Sequence, residues 1–476
     1  MIDGLKPYPA MKDSGVAWLG DVPEHWEVLP ALAVYRPRQV KNTGMIETTV
    51  LSLSYGRIIV KPPEKLRGLV PESFETYQVV DPANIIVRTT DLQNDQTSLR
   101  IGHSAHRGII TSAYMCLETL LRVSNEFGYQ YLNAYDLLKI IYGFGSGLRQ
   151  NLDFSDIKRM PVLVPPLPEQ AAIVRFLDHA DRRIRRYIRA KQKLIKLLEE
   201  QKQAIIHRAV TRGLNPDVRL KPSGVEWLGN VPERWDVVRL KYAASQIVDC
   251  LHATPIYSEV GAFPAIRTAD ISPGIVRLGS ARRVDEDVYS RWTQRLEPVA
   301  GDILYSREGE RFGIAACVPE GARVCISQRM MVFRIRPEHN SRFVMWLLNS
   351  PQVYAQANQD VMGSTAPHVN VSTIRNFALA LPARREQDEI VDHVEAATLG
   401  LYRTIEDAQR EIVLLREYRT RLIADVVTGK LDVREAAARL PDEIEEPEPL
   451  DQAEGMTESE DESATDLDAT LEEAEA

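Results

Sequence analysis

The chain carries the same opening motif twice, and this internal repeat restricts its fold more than any other feature. Residues 14–28 read SGVAWLGDVPEHWEV and residues 223–237 read SGVEWLGNVPERWDV, so eleven of fifteen positions are identical at an offset of 209. Each copy contains two of the six tryptophans of the chain. Because tryptophan is rare, a chance match is excluded, and the repeat predicts a duplicated structural unit.

A second repeated segment follows each opening motif. Residues 157–174 read IKRMPVLVPPLPEQAAIV and residues 374–391 read IRNFALALPARREQDEIV, with Glu169-Gln170 matching Glu386-Gln387 at an offset of 217. The stretches between the repeats, 29–156 and 238–373, share little sequence. The chain therefore reads as opening motif, variable domain and long helix, and then the same again.

Each second repeat begins a segment with a helical pattern. Residues 169–212 contain no Pro or Gly, and apolar residues recur at coiled-coil spacing with polar interruptions at Asp181, Lys191 and Lys202. A similar seam runs from Val391 to Leu422. At about 1.5 Å per residue, two helices of about 43 residues are roughly 65 Å long. We expect them to pack on each other, since a helix lying on its own domain alone would leave most of its length exposed.

Chain order sets the direction of the two helices. The first domain precedes the first helix, and the second domain follows it, so the second helix must run back. The predicted fold class is α+β, with two domains separated by two long antiparallel coiled-coil helices and a pseudo-two-fold repeat. Strands are predicted at 85–87, 109–110, 160–164, 303–305 and 330–335, and helices at 128–141 and 341–358.

The resulting domain boundaries divide the chain into five parts. Residues 1–165 form the first domain and 166–213 the first long helix. Residues 214–383 form the second domain and 384–433 the second long helix. An acidic tail, expected to be disordered, occupies 434–476.

Charge is distributed unevenly along the chain. The net charge is −9, but residues 441–476 hold 16 Asp and Glu and no Lys or Arg, so the rest of the chain has a net charge of +7. The tail is interpreted as a solvated segment, with phosphate mimicry or repulsion of nonspecific DNA as the alternative. Four scattered cysteines without CxxC spacing and an N-terminus without a signal pattern favour a soluble cytoplasmic protein.

The sequence contains no convincing catalytic motif. It lacks the GxxxxGK[ST] nucleotide loop and the Asn-Pro-Pro-Tyr type of motif with which an amino-methyltransferase holds its target base. The pair His103 and His106 has no third metal ligand nearby in the sequence, so a zinc site is not expected there. We predict no catalytic residues, no metal site and no cofactor of its own.

Two loops at comparable places in the two copies are rich in side chains that can read DNA bases. Residues 88–100 read RTTDLQNDQTSLR and residues 305–313 read YSREGERFG. Arginine pairs with guanine, and asparagine or glutamine pairs with adenine. A solvated surface loop is the alternative for each alone, but the matched position favours DNA contact. The predicted base-reading residues are Arg88, Gln93, Asn94, Gln96, Arg100, Ser306, Arg307 and Arg311.

The first long helix is strongly basic. Residues 182–196 include eight Arg or Lys. With 100° between successive residues, Arg182, Arg185, Arg186 and Arg189 share one flank, where they can contact DNA phosphates. A solvated coiled-coil face is the alternative for any one of them.

In combination these motifs resemble the specificity subunit of type I restriction–modification enzymes, over residues 10–433. The resemblance rests on WLGDVPEHWEV and WLGNVPERWDV, on VPPLPEQAAIV with its copy ALPARREQDEIV, and on the helix endings IIHRAVTRGL and LIADVVTGKLDV. The segments IIVRTTDLQND, GIITSAY, GDILYSREG and ISQRMMVFRI are similar to target-recognition domains of that family. The acidic tail departs from the family pattern.

The resemblance implies a function and a set of partners. It implies a bipartite, asymmetric double-stranded DNA target with one half-site per domain, and helices that act as a ruler across an unread spacer. It also implies two modification (methyltransferase) subunits that bind S-adenosylmethionine, and restriction (motor-nuclease) subunits that use ATP and Mg. No membrane association is expected. The competing hypothesis is a non-catalytic coiled-coil scaffold that binds only other proteins.

Overall fold

A computed structural model describes residues 5–54, 56–62, 73–90, 92, 98–144, 151–309, 311–359 and 368–441. Its contacts divide the chain into two compact units. Among the described residues, unit 1 contains those up to Gln192 and those from Gln409 to Pro441, and unit 2 contains Lys193–Ala408. Each unit therefore holds one variable domain and about half of each long helix. No helix among the described residues has the length and apolar character needed to cross a membrane.

Unit 1 is a mixed α and β structure that ends in the first long helix. Its strands are β1 Met11–Asp13, β2 Asp21–Pro23, β3 Glu27–Pro30, β4 Tyr35–Arg38, β5 Leu51–Ser54, β6 Arg57–Val60, β7 Gln78–Val80, β8 Ile85–Val87, β9 Ile101–His103, β10 Gly108–Ile110, β11 Met115–Thr119 and β12 Pro161–Val164. Its helices are α1 Asn125–Leu137, α2 Phe154–Ile157 and the first half of α3 Leu167–Arg212.

Unit 2 repeats this plan. Its strands are β13 Leu220–Pro222, β14 Asn230–Pro232, β15 Asp236–Arg239, β16 Ala244–Asp249, β17 Phe263–Ile266, β18 Ile271–Ser272, β19 Ile275–Val276, β20 Arg283–Val284, β21 Ile303–Ser306, β22 Ala315–Cys317, β23 Cys325–Ile326, β24 Met330–Ile335 and β25 Ala378–Leu381. Its helices are α4 Leu240–Ala243, α5 Glu286–Trp292, α6 Ser341–Leu348, α7 Pro351–Asn358, α8 Val371–Arg375 and the first half of α9 Arg384–Val427. A short helix, α10 Arg434–Ala438, follows α9 and belongs to unit 1.

The two units share one strand topology. A hairpin comes first, β1–β2 in unit 1 and β13–β14 in unit 2. The strand after it pairs with the strand that leads into the long helix, β3 with β12 and β15 with β25. Between them lies an antiparallel four-stranded sheet of order β4-β11-β8-β9 or β16-β24-β21-β22. The predicted α+β repeat is confirmed, and it extends into the segments whose sequences differ.

The repeated tryptophan anchors the start of each long helix. The indole of Trp26 donates to Glu169 Oε1 at 3.0 Å, and the indole of Trp235 donates to Glu386 Oε1 at 3.0 Å. Both tryptophans are buried, and both glutamates stand third in their helix, where the helix dipole favours a carboxylate. In unit 1, Glu169 also accepts from Tyr8.

The repeated glutamine, next in sequence, joins the long helix to the domain. Gln170 donates to the Pro165 carbonyl at 2.8 Å and accepts from the backbone N–H of Ser124, the N-cap of α1. Gln387 donates to the Pro382 carbonyl at 2.8 Å and accepts from Asn340, the N-cap of α6. The repeated Glu-Gln pair thus has a structural role in both units.

In each unit, the C-terminal end of one long helix packs against the tryptophan that contacts the start of the other long helix. Within unit 1, α9 is followed by Gly429, which has a φ of +75° and packs against Pro23 and Trp26. Within unit 2, α3 is followed by Gly213, which has a φ of +73° and packs against Trp235 and Glu386. In each unit the start of one helix and the end of the other therefore meet at the same tryptophan.

The two long helices are antiparallel, as predicted. In unit 1, Asp181 of α3 pairs with Arg419 of α9, and ten residues further along α3 Lys191 pairs with Glu411 at 2.6 Å. Residue numbers rise along one helix as they fall along the other. In unit 2, the buried Lys202 ammonium lies 4.4 Å from the ring centroid of Tyr402. The three polar interruptions of the α3 seam therefore all have partners on α9.

Most predicted elements occur close to their expected positions, and two differ for local reasons. The predicted helix 128–141 is Asn125–Leu137, because Ser124 caps its start. The predicted helix 341–358 is two helices, since Ser350 caps a new helix that has Pro351 in its first turn. The long helices begin at Leu167 and Arg384. The predicted disordered tail begins at residue 434, and this boundary is wrong, because Arg434–Ala438 form helix α10 with Ala437 packed in the core of unit 1. Residues 442–476 of the predicted tail lie outside the described residues.

The two glycines that follow the long helices, Gly213 and Gly429, give a test of this packing around the tryptophans. A Cβ at Gly429 would lie 2.3 Å from Pro23 Cδ, whereas a Cβ at Gly213 would lie 3.3 Å from Glu386 Oε1. Left-handed backbone costs a non-glycine residue about 1–2 kcal/mol at either site, and the Pro23 clash adds to that cost only at Gly429. We expect Gly429→Ala to lower the thermal unfolding midpoint clearly more than Gly213→Ala. Equal midpoints in the two variants would contradict this account of the closure.

Candidate nucleic-acid interface

The two predicted base-reading loops occupy equivalent places in the fold. In the order β4-β11-β8-β9 the third strand is β8, and Arg88 follows it. In the order β16-β24-β21-β22 the third strand is β21, and Arg307 follows it. Each loop therefore leaves its sheet at the same point, although the two loop sequences differ. Gln93, Asn94 and Gln96 lie outside the described residues, and so does Glu310 in the second loop.

Arg100 holds the base of the first loop. It is fully buried, its Nε donates to the Tyr142 hydroxyl at 3.0 Å, and its Nη1 donates to the Thr90 carbonyl at 2.7 Å. Its carbonyl accepts from the backbone N–H of Arg88 at 2.8 Å. These contacts are those of a residue that shapes the loop from beneath, and they leave the half-buried Arg88 nearer the surface.

Asp136 of α1 supports the same loop base. Its Oδ2 accepts from the backbone N–H groups of Arg100 and Ile101. The carboxyl group is fully buried, and this burial raises its pKa above the ordinary value, although the hydrogen bonds to Arg100 and Ile101 act in the opposite direction. Neither Asp136 nor its contact with the loop was predicted from the sequence, since an aspartate within a helix gives no signal of its own.

In the second loop the predicted residues lie at the end of the sheet and are largely buried. Ser306 is the last residue of β21 and is fully buried. The guanidinium of Arg307 forms ion pairs with Glu308 and, at 3.2 Å, with Asp249. Arg311, further along the loop, donates to the Ile271 carbonyl at 2.8 Å.

A group of polar side chains around Arg307 comes from the end of β16, which lies two strands away from β21 in the same sheet, and from the residues that follow it. Asp249 ends β16, and its Oδ2 lies 2.9 Å from His252 Nε2. The Cys250 Sγ lies 3.9 Å from His252 Nδ1. Sequence reasoning missed this group, although the string DCLH after a strand was a signal that could have found it.

The same three residues have the ligand types of a metal site. Their ligand atoms lie within 4.8 Å of one another. However, Asp249 lies next to the Nε2 atom of His252, and Cys250 lies next to the Nδ1 atom of the same ring. Because these two nitrogens point in different directions, a single ion in this arrangement could not be bound by His252 together with both Asp249 and Cys250. Burial also raises the pKa of the Cys250 thiol, which opposes the thiolate that a metal needs. The arrangement instead suits a hydrogen-bonded support for Arg307.

The basic residues of α3 have different environments in unit 1. Arg182 and Arg186 are exposed, and Arg189 is half-buried. Arg185 turns towards the helix pair, where its Nη2 lies 2.8 Å from Asp181 Oδ2. The structure therefore leaves Arg182, Arg186 and Arg189 on the outer flank and assigns Arg185 to the ion-pair group around Asp181.

Chemically, each unit has arginine side chains where a loop leaves the sheet, the half-buried Arg88 in unit 1 and the half-buried Arg311 beside the buried Arg307 in unit 2. Arginine offers paired donors that fit the guanine edge, and carboxylates can accept from the cytosine amino group. The flank of α3 adds positive charge without such pairing geometry, which suits phosphate contact. Both features favour nucleic acid as the ligand.

Comparison with known proteins agrees with this chemistry. A family model described as the type I restriction modification DNA specificity domain matches the chain twice, over residues 82–197 and 257–410. Each match contains the loop after the third strand and part of a long helix. The match covers more than half of the chain.

Individual proteins that resemble the chain share only a low sequence identity with it. The type I restriction enzyme MjaVIII specificity subunit of Methanocaldococcus jannaschii is 22% identical over 440 residues, which are 87% of this chain and 94% of that protein. The EcoBI specificity subunit of Escherichia coli is 26% identical over 244 residues, 49% of this chain and 50% of that protein. A chain solved in work on complex assembly and conformational transition of the type I R-M system has a similar fold, with a TM-score of 0.58, 16% identity, and coverage of 86% of this chain and 99% of that one.

The buried carboxyl group beneath the first loop predicts a pH dependence. Because the folded state raises the pKa of Asp136, the native chain loses stability as pH rises from the unfolded value near 4 through the raised value. Asp136→Asn mimics the protonated form, so its stability relative to the native chain should increase over that interval, by about 1.4 kcal/mol per unit of pKa difference. Urea unfolding of both proteins from pH 2 to pH 8 measures this, and the range includes the interval of the control described next.

Asp153 is the matched control, since the fold lowers the pKa of its carboxyl group, whereas it raises the pKa of Asp136. Asp153 caps α2, and its hydrogen bonds with Ser155 lower its pKa. Asp153→Asn should therefore lose stability relative to the native chain as pH rises through that lowered value. If the Asp136→Asn difference stayed constant with pH, the fold would not raise the pKa of this carboxyl group.

Proposed function

The chain belongs to the family of type I restriction–modification DNA specificity domain proteins, and we propose that it reads a bipartite DNA target as the specificity subunit of such an enzyme. The observation that carries the proposal is the matched pair of loops, each leaving the third strand of an equivalent four-stranded sheet. Because the two loops differ in sequence, the two half-sites should also differ, and the target is asymmetric.

Specificity and chemistry are then divided between subunits. The chain reads sequence, and methyltransferase and restriction subunits carry out modification and cleavage of the DNA. We propose two modification subunits, which would methylate adenine with S-adenosylmethionine, and restriction subunits that use ATP and Mg. The chain itself contributes no catalytic group in this scheme, and its role is to bring those partners to the correct site.

The long helices are proposed to set the distance between the half-sites. A continuous helix changes length little, so the number of unread base pairs between the half-sites would follow from helix length. The outer flank of α3, with Arg182, Arg186 and Arg189, would contact phosphates of the spacer. Such contacts add affinity without reading sequence.

Domain exchange tests the proposal. Replacing residues 31–160, between β3 and β12, with the corresponding segment of a family member of known target should change one half of the methylated sequence. The frame of Trp26, Glu169 and the long helices stays native in this chimaera, so assembly with the partner subunits should persist. Sequencing of methylated adenines in cells that express the assembled methyltransferase gives the result.

The reciprocal exchange of residues 240–377, between β15 and β25, is the control and should change the other half. A chimaera that altered both halves would contradict the assignment of one half-site to each domain. An assembled, active chimaera with an unchanged target would contradict it equally.

The phosphate contacts give a second prediction. Each phosphate contact contributes about −0.9 to the slope of log K against log salt. Changing Arg182, Arg186 and Arg189 to Gln should therefore weaken binding of cognate and noncognate DNA alike and reduce the slope by up to about 3. The methylated sequence should not change.

A variant of the second long helix with the same change in charge is the control. Arg403, Arg410 and Arg416 are exposed on α9, and their change to Gln should alter the slope less. Affinity of the assembled methyltransferase across a salt series measures both variants. Equal slopes for native and α3-variant enzyme would remove the α3 flank from the DNA-binding surface.

A further inference from the structure

We propose that the acidic segment 442–476 binds, within the same molecule, to a basic stripe of α3 formed by Arg182, Arg186 and Arg189, and there competes with DNA phosphates. The competition half of the inference rests on the proposed function, whereas the contact between tail and stripe does not. The occupant is a named segment of this chain that follows the last described residue, Pro441.

The position at which the chain leaves unit 1 is the first observation. Val433, which caps helix α10, and Ala437 within it are buried in the same core as the start of α3. The Arg175 guanidinium of α3 then donates to the Leu440 carbonyl at 2.7 Å and to the Pro441 carbonyl at 3.2 Å. The acidic segment therefore begins against the outer surface of α3.

The position of the stripe relative to that point is the second observation. Arg182, Arg186 and Arg189 follow Arg175 by 7, 11 and 14 residues. At about 100° per residue, all four lie within roughly 60° of one another around the helix, along about 21 Å of its length. The buried residues Ile184 and Ile188 occupy the opposite side, so the stripe faces away from the partner helix.

Length and charge make the contact feasible. The segment 442–476 has 35 residues with 16 Asp or Glu and no Lys or Arg. At up to about 3.3 Å per residue it can extend far beyond the 21 Å of the stripe. Tethering next to the stripe gives it a high effective concentration there. Many carboxylates beside three arginines on one rigid face form a network, which is stronger than a single exposed ion pair.

The equivalent positions of the second long helix lack this stripe. At the offset of 217, Arg182, Arg186 and Arg189 correspond to Leu399, Arg403 and Glu406 of α9. That face has no net charge, whereas Pro441, the last described residue before the acidic segment, is contacted by Arg175 of α3. The basic stripe is therefore found on the helix next to which the tail begins, which favours a specific pairing over a general excess of charge.

Competition would lower the affinity for DNA of any sequence. The stripe contacts phosphates, which cognate and noncognate DNA share, so the tail would weaken binding of both by a similar factor. A cognate target adds base contacts in the two loops and would remain bound at concentrations at which noncognate DNA dissociates. The effect of the tail would fade as salt screens the charges.

A cross-linking experiment without DNA tests the contact itself. In the full chain, p-benzoylphenylalanine replaces Ala190, which is exposed and adjacent to Arg189. Irradiation should give cross-linked peptides from residues 442–476. The equivalent position on α9, Asp407, is the control and should give few. The yield should fall when Arg182, Arg186 and Arg189 are changed to Gln, and mixing of isotopically labelled and unlabelled chains should show that the cross-link lies within one molecule.

A double-mutant cycle on the assembled methyltransferase tests the competition. Changing the acidic residues of 442–476 to Asn and Gln should raise affinity for noncognate DNA by about three- to tenfold at low salt. The same tail change should have little effect when the stripe residues are Gln, but its full effect when Arg403, Arg410 and Arg416 are Gln.

The outcomes separate the two halves of the inference from each other and from the proposed function. Absence of the tail cross-link at position 190, or cross-links only between molecules, would overturn the contact. An equal gain in affinity with native and neutralised stripe would mean long-range repulsion and overturn the competition. Neither result would affect the half-site exchange, which tests the proposed function by methylation mapping.

Discussion

The hydrogen bond from a buried tryptophan to a glutamate in the first turn of each long helix is the contact on which the rest of the structure depends. A carboxylate removed from water is costly unless donors surround it, and at the third position of a helix it also meets the positive end of the helix dipole. Trp26 and Trp235 supply the matching donor in the two units. Because the end of the other long helix packs on the same tryptophan, one contact orients the domain and both helices.

Around this shared anchor the two halves of the helix pair use different chemistry. At the offset of 217, Asp181 corresponds to Thr398, Arg185 to Tyr402, and Lys202 to Arg419. Unit 1 therefore joins its helices with the ion pairs of Asp181, while unit 2 sets the Lys202 ammonium against the Tyr402 ring. Sliding one helix by a heptad would bring these polar groups against apolar seam residues. The polar positions thus specify register, at some cost in apolar burial.

The frame could be predicted from sequence because its residues are repeated or periodic. The tryptophans, the Glu-Gln pair and the seam of α3 all gave signals, and the antiparallel direction followed from chain order. The reading loops could not be predicted to the same depth. Arg100 and Arg307 have the side chain expected of a base reader, yet Arg100 is buried on backbone carbonyls and Arg307 is paired with Asp249. Burial depends on neighbours far away in sequence, such as Asp136 and Asp249, which carry no local signal.

This difference between frame and loops also explains why the two units can diverge. Each loop is held by its own polar group, the buried Asp136 on a helix in unit 1 and the half-buried Asp249 on a strand in unit 2, and the hydrogen bonds and ion pairs described for these two groups go to residues other than the tryptophan anchors. A change in a loop and its support therefore leaves the helix ends and the register of the seam unaltered. Conversely, a change at Trp26 or Glu169 alters the orientation of a whole domain relative to the start of its long helix. Under the proposed function, new half-sites can arise by replacing the part between β3 and β12, or between β15 and β25, without any adjustment of the helices that separate them.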